Sequence, residues 1–106
     1  MIRAKYTVID NTHTLVVVGH ADYEEYGKDI VCAGVSALVQ ALIGWIEENH
    51  YKAESITVDI QEGEAIISCS GNEDVAAVFQ MASIGLEQIA DGYPDHVQID
   101  IIGLAD

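Results

Sequence analysis

Two reactive side chains, His20 and Cys32, stand twelve positions apart in GHADYEEYGKDIVCAGVSAL, residues 19–38. A thiolate attacks carbonyl carbon, and an imidazole takes up the thiol proton and later returns it to a leaving amine. Brought within reach of one another, such a pair would cleave peptide or acyl bonds. If Asp29 caps a helix, Ile30, Val31 and Cys32 fill its first turn, among unpaired backbone amides and the positive end of the helix dipole. That setting favours thiolate over thiol. Asp29 would alternatively orient the imidazole, and one carboxylate doing both is difficult. Ser36, four residues on, shares a helix face with Cys32. It would bond near the thiol or line a cleft, and a serine bonding back to a helix carbonyl explains it equally well.

The segment joining the pair, ADYEEYGKD, is polar and aromatic, with Gly19 and Gly27 near its ends. It reads as a mobile lid over residues 21–28, with Ala21, Tyr23 and Tyr26 available to a bound peptide. An ordinary surface connection, its tyrosines packed over the core edge, is the plainer reading. The plain reading of the pair is a loop histidine and an inert core thiol, because free cysteine is among the most buried residue types. A metal site would use His20, Asp22 and Cys32, but no CxxC or HxxxH spacing supports one, so no metal and no cofactor are expected. Cys69, alternating with Ala65 and Ile67 in AIISCS, belongs to a core face. His13 in a first turn, His50 at a helix end and His96 before the last strand are expected at surface or turn positions without a role. DGYPDHVQI, with its helix stop at Gly92 and rigid turn at Pro94, needs only a structural explanation.

Several elements must position these residues. Ile2 to Ile9 alternates like a strand, DNTH at 10–13 supplies turn residues, and TLVVVG at 14–19 completes a hairpin. A helix opened by Asp29 carries Ile30, Val31, Val35, Leu38, Leu42, Trp45 and Ile46 on one broad stripe. Its polar end spans Glu47 to Lys52. Ser55 to Gln61 and Ala65 to Ser70 form a second hairpin around the turn EGE. Asn72 to Asp74 start a second helix that ends near Gly92, and Val97, Ile99 and Ile101 lie on a last strand. This order predicts an α+β two-layer sandwich with a mostly antiparallel or mixed sheet and both helices on one face. The sheet order stays open. The uncovered sheet face or an edge makes a homodimer plausible.

The chain of 106 residues is expected to form one domain, 1–106, and half its residues are hydrophobic. A core of that size needs no disulfide. The apolar stretches read as well short of the ~20 residues of a membrane span. The N-terminus reads as a strand instead of a signal peptide, and a cytoplasmic location with free cysteines is expected. Charge is lopsided, with 18 Asp and Glu against 4 Lys and Arg, a formal net charge of −14. Such a surface repels nucleic-acid phosphates and anionic membranes. It suits a basic protein partner, or serves solubility alone.

GHA at 19–21, GKDIVCAGVSAL at 27–38 and, more weakly, GLEQIADGYPDHVQI resemble the ribosomal-processing cysteine protease family Prp. Strand and helix order follow that family along essentially the whole chain, and Gly34 is one mild variation. The resemblance implies an endopeptidase that removes a short N-terminal extension from large-subunit ribosomal protein L-twenty-seven. It implies Cys32 as nucleophile, His20 as general base, supporting places for Asp29 and Ser36, a homodimer, and a mobile loop over the site. The extension it implies is apolar and aromatic beside the scissile bond. A cleft on the first helix, capped by Tyr23 or Tyr26, would receive it, with helix-start amides as oxyanion donors. A non-catalytic acidic module that binds a basic ribosomal protein is the alternative.

Overall fold

The structure is a computed structural model that describes residues 1–25 and 27–103. Its elements run β1 (Ile2–Ile9), β2 (Thr12–Val18), α1 (Ile30–Glu48), a short 3-10 turn (His50–Lys52), β3 (Ala53–Gln61), β4 (Glu64–Gly71), α2 (Glu73–Gly92) and β5 (Val97–Ile102). The strands make one sheet in the order β3-β4-β2-β1-β5. β5 runs parallel to β1 and the other neighbours pair antiparallel, so the sheet is mixed. Both helices cover the same face, and the fold is the expected α+β sandwich of two layers.

Strand alternation builds the core. Ile2, Ala4 and Tyr6 of β1, Leu15 and Val17 of β2, and Ile67 and Cys69 of β4 all point at the helices. α1 answers with Val31, Val35, Val39, Leu42 and Ile46, and α2 with Val75, Phe79, Ala82 and Leu86. Steps of three and four put each set on one stripe. Between Ile30 and Ile46, α1 carries no charged residue, and its mean hydropathy of 1.8 is enough, by length and composition, for a membrane span. The expectation that every apolar stretch is well short of a span is therefore corrected. Ser36 and Gln40 interrupt the run without adding charge, and the five-residue stripe seats the helix in the core.

Two boundaries differ from expectation for local reasons. The first turn is only Asp10 and Asn11, with Asp10 in the left-handed region (φ 54°), so Thr12 and His13 join the strand. His13 is consequently buried at 5% exposure, contrary to the surface or turn placement expected of it. On the other edge, Val58 and Ile60 of β3 pair with Ile67 and Ala65, and so face the helix side. Neither helix reaches over them, and both remain exposed. The Ile60 end of that uncovered strip lines the cleft described below.

His13, Tyr6 and Phe79 form a mutually packed ring cluster, centroids 5.4–6.0 Å apart, and His13 bonds the Tyr6 hydroxyl at 2.7 Å. Burial pushes the Tyr6 pKa up to about 12 and lowers that of His13. Tyr6 thus keeps its proton beside a neutral ring, and the hydroxyl donates where His13 carries its own proton on Nε2. A histidine whose folded pKa is lowered contributes fully above its unfolded value of 6.5, and that contribution is lost as pH falls through the folded value. Urea unfolding followed from pH 8 to pH 5 is expected to show declining stability on this limb. His13→Phe keeps the stack, lowers overall stability by about 1–3 kcal/mol by orphaning the Tyr6 hydroxyl, and flattens the limb. An unchanged slope in that variant would contradict the assignment.

Candidate active site

β2 delivers the chain to the site through Gly19, whose φ is +96° and where a Cβ would run into the Met1 carbonyl. Only glycine satisfies both constraints. The Gly19 N–H donates to the Gly63 carbonyl at 2.8 Å, tying the end of β2 to the β3–β4 turn. His20 follows, exposed, with its ring over Gly63, Nε2 only 3.1 Å from where a Cβ would stand. Gly63, itself at φ +72°, leaves room for the imidazole.

Cys32 lies in the first turn of α1 and is half-buried. Asp29 is the N-cap: its Oδ1 accepts from the N–H groups of Val31 (3.0 Å) and Cys32 (2.9 Å). Its Oδ2 accepts from Tyr23 (3.0 Å) and Glu24 (3.3 Å) in the loop. Partial burial pushes the Asp29 carboxyl up, but the amides of Cys32, Tyr23, Glu24 and Val31 outweigh this and hold it below the ordinary carboxylate range. Four backbone partners leave this carboxylate no part in orienting His20. The helix-start amides expected to serve as oxyanion donors are likewise committed, Val31 and Cys32 to the Asp29 side chain and Ala33 to the Asp29 carbonyl. A different amide faces the sulfur: the Ala21 N–H donates to Cys32 Sγ at 3.3 Å.

His20 and Cys32 line one cleft of about 750 Å³, open between α1 and the β3–β4 hairpin. Val35, Val39 and Ile43 of α1 and Ile60 and Ala65 of the hairpin give it apolar walls. Asp22, Glu24, Glu62 and Glu64 bring carboxylates to the same cleft. Gly19, Gly27, Asp29 and Ser36 line it as well. Ala21, expected in the lid, has its methyl in the core at 1% exposure. Tyr23 is not among the lining residues; its ring packs edge-on against Tyr93 and His96 at 5.2 and 5.3 Å. Tyr26, expected beside it, lies outside the described residues. Cys69 is fully buried, and burial raises its thiol pKa, so it is inert.

Sequence reasoning passed over His96 and Tyr93. His96 Nδ1 bonds the Ala21 carbonyl at 2.8 Å, and its neighbour Tyr93 backs the loop. A signal was present in DGYPDH, where two rings flank the chain's only proline. Among the described residues no group of three or more His, Cys, Asp or Glu is arranged to hold a metal ion.

The family model for the cysteine protease Prp matches residues 1–98. The ribosomal processing cysteine protease Prp of Mycoplasma genitalium is 34% identical over 86 residues, covering 81% of this chain and 85% of that protein. The Staphylococcus aureus Prp is 32% identical over 108 residues, covering 94% and 98%. A crystal structure of an essential S. aureus Prp with a covalently linked product peptide superposes with a TM-score of 0.84 at 27% identity, covering 95% of this chain and 99% of that one. The match spans the loop, the helix start that carries Cys32 and the sheet that presents His20, and the chain belongs to the Prp family of ribosomal-processing cysteine proteases.

Proposed function

We propose that this cysteine protease removes a short N-terminal extension from large-subunit ribosomal protein L-twenty-seven, with Cys32 as nucleophile and His20 as general base. The observation that carries the reading is the shared cleft: His20 and Cys32 line the same apolar-walled space, and carboxylates rim it. The size of the cleft suits a few residues of extended peptide, its walls suit apolar side chains, and its rim suits a basic protein. A net charge of −14 attracts such a protein over long range and raises the encounter rate. A cytoplasmic location and a homodimer belong to the same reading. Edge strand β3, with Ile56, Val58 and Ile60 exposed, offers unpaired backbone and apolar surface to a second copy.

In the reaction, His20 accepts the Cys32 proton and the thiolate attacks the scissile carbonyl carbon. The tetrahedral oxyanion collapses to a thioester as the imidazolium protonates the departing amine. Water, deprotonated by His20, then attacks the thioester; the extension leaves as a carboxylic acid and the thiol is restored. Asp29 keeps the helix start and the loop in register throughout. Ser36, one turn along α1, lines the same cleft.

Incubating the extended precursor with Cys32→Ala, read by mass spectrometry, is expected to give binding without cleavage. Cutting at the wild-type rate would remove Cys32 from the mechanism. His20→Ala is expected to slow cleavage by about a hundredfold or more. It should also lower iodoacetamide labelling of Cys32 near neutral pH, and equal labelling would count against the imidazole as base. Sedimentation equilibrium is expected to return twice the chain mass of 11.4 kDa, and a monomer at micromolar concentration would refute the dimer.

A further inference from the structure

We infer that His96 is a positioning residue for the reaction, holding the Ala21 segment so that the Ala21 N–H faces the Cys32 sulfur. The inference rests on Cys32 being the nucleophile. A thiolate forming at the start of α1 would ordinarily look to the first helix amides for hydrogen bonds. Here Asp29 has taken those of Val31 and Cys32 and has placed its own negative charge alongside. A neighbouring carboxylate disfavours a second anion. Among the described residues the Ala21 N–H, 3.3 Å from Sγ, is therefore the donor left to support the sulfur.

An amide can do so only if it cannot turn away. The peptide plane joining His20 and Ala21 carries the donor at one end and, at the other, the His20 carbonyl, which accepts from the Met1 nitrogen at 2.5 Å. The Ala21 methyl is packed in the core. The next plane is gripped at the Ala21 carbonyl by His96 Nδ1, 2.8 Å away. A carbonyl accepts only, so the His96 proton on this bond sits on Nδ1. His96 is itself fixed: its N–H donates to the Tyr93 carbonyl, its carbonyl accepts from Ile2 N–H, and its ring meets the edge-on ring of Tyr23. Through Ala21, the turn after α2 thus sets the donor for a sulfur that lies 64 positions earlier in the chain.

Two variants separate positioning from mere folding. His96→Phe keeps a ring against Tyr23 and removes the donor, whereas His96→Asn places Nδ2 where Nδ1 stood. For each, the rate of Cys32 alkylation by iodoacetamide, located by peptide mapping, is measured beside kcat and KM on the extended precursor and the thermal midpoint. We expect His96→Phe to lose about tenfold in both alkylation rate and kcat, with KM changed by no more than about twofold. His96→Asn should recover most of the loss. Wild-type alkylation and kcat in His96→Phe would overturn the inference. So would equal losses in both variants that track a lowered thermal midpoint, which would mark His96 as structural. Cleavage surviving in Cys32→Ala would instead refute the nucleophile assignment, a separate failure that the His96 variants cannot mimic.

Discussion

One carboxylate organises the site. Asp29 accepts four backbone hydrogen bonds, two from the first turn of α1 and two from the loop that leads into it. Each oxygen serves one side, so the helix start and the loop cannot shift independently. Charge-assisted bonds of this kind are stronger than neutral ones. Their collective effect is visible in the Asp29 pKa, held low despite partial burial. Because Cys32 sits in that first turn and Ala21 at the beginning of the same loop, the geometry around the sulfur depends on this junction. The consequence is a division of labour: a residue with the right type and place to orient a catalytic histidine is instead part of the frame.

Most of the architecture was legible in the residues. Period-two alternation located β1 and β4, and the cap residues Asp29 and Asn72 marked both helix starts correctly. Local pattern was weaker where a turn was tighter than its composition implied. DNTH has four turn-prone residues, but two suffice for the hairpin, and His13 became a core residue. Long-range features were not legible. The sheet order, the parallel match of β1 with β5, and the approach of His96 to Ala21 link residues far apart in sequence, and no local periodicity encodes them. Tyr23 was expected over the cleft because it is aromatic and lies in the connecting loop. Its ring packs edge-on against Tyr93 and His96 instead and stays 42% exposed.

The cleft itself is a by-product of unequal layers. Five strands present more area than two helices cover. The surplus falls at β3, whose inward-facing Val58 and Ile60 have no helix above them. An uncovered apolar strip beside a helix is a place for extended chain, and glycine at the β3–β4 turn lets a histidine ring lie at its end. Acidic residues along the rim keep that apolar strip soluble while favouring a partner of opposite charge.

The parallel pairing of β1 with β5 bears on when the fold becomes complete. As the chain leaves the ribosome, β1 and β2 emerge early and can zip as a local hairpin, but β1 keeps an open edge until residues 97–102 arrive. Contacts of such long sequence separation form late and slowly. His20 and Cys32 are both made within the first third of the chain, yet the ring that abuts their loop is supplied from beside the last strand. A nascent chain therefore carries both reactive groups long before the residue that bonds the Ala21 carbonyl has been made.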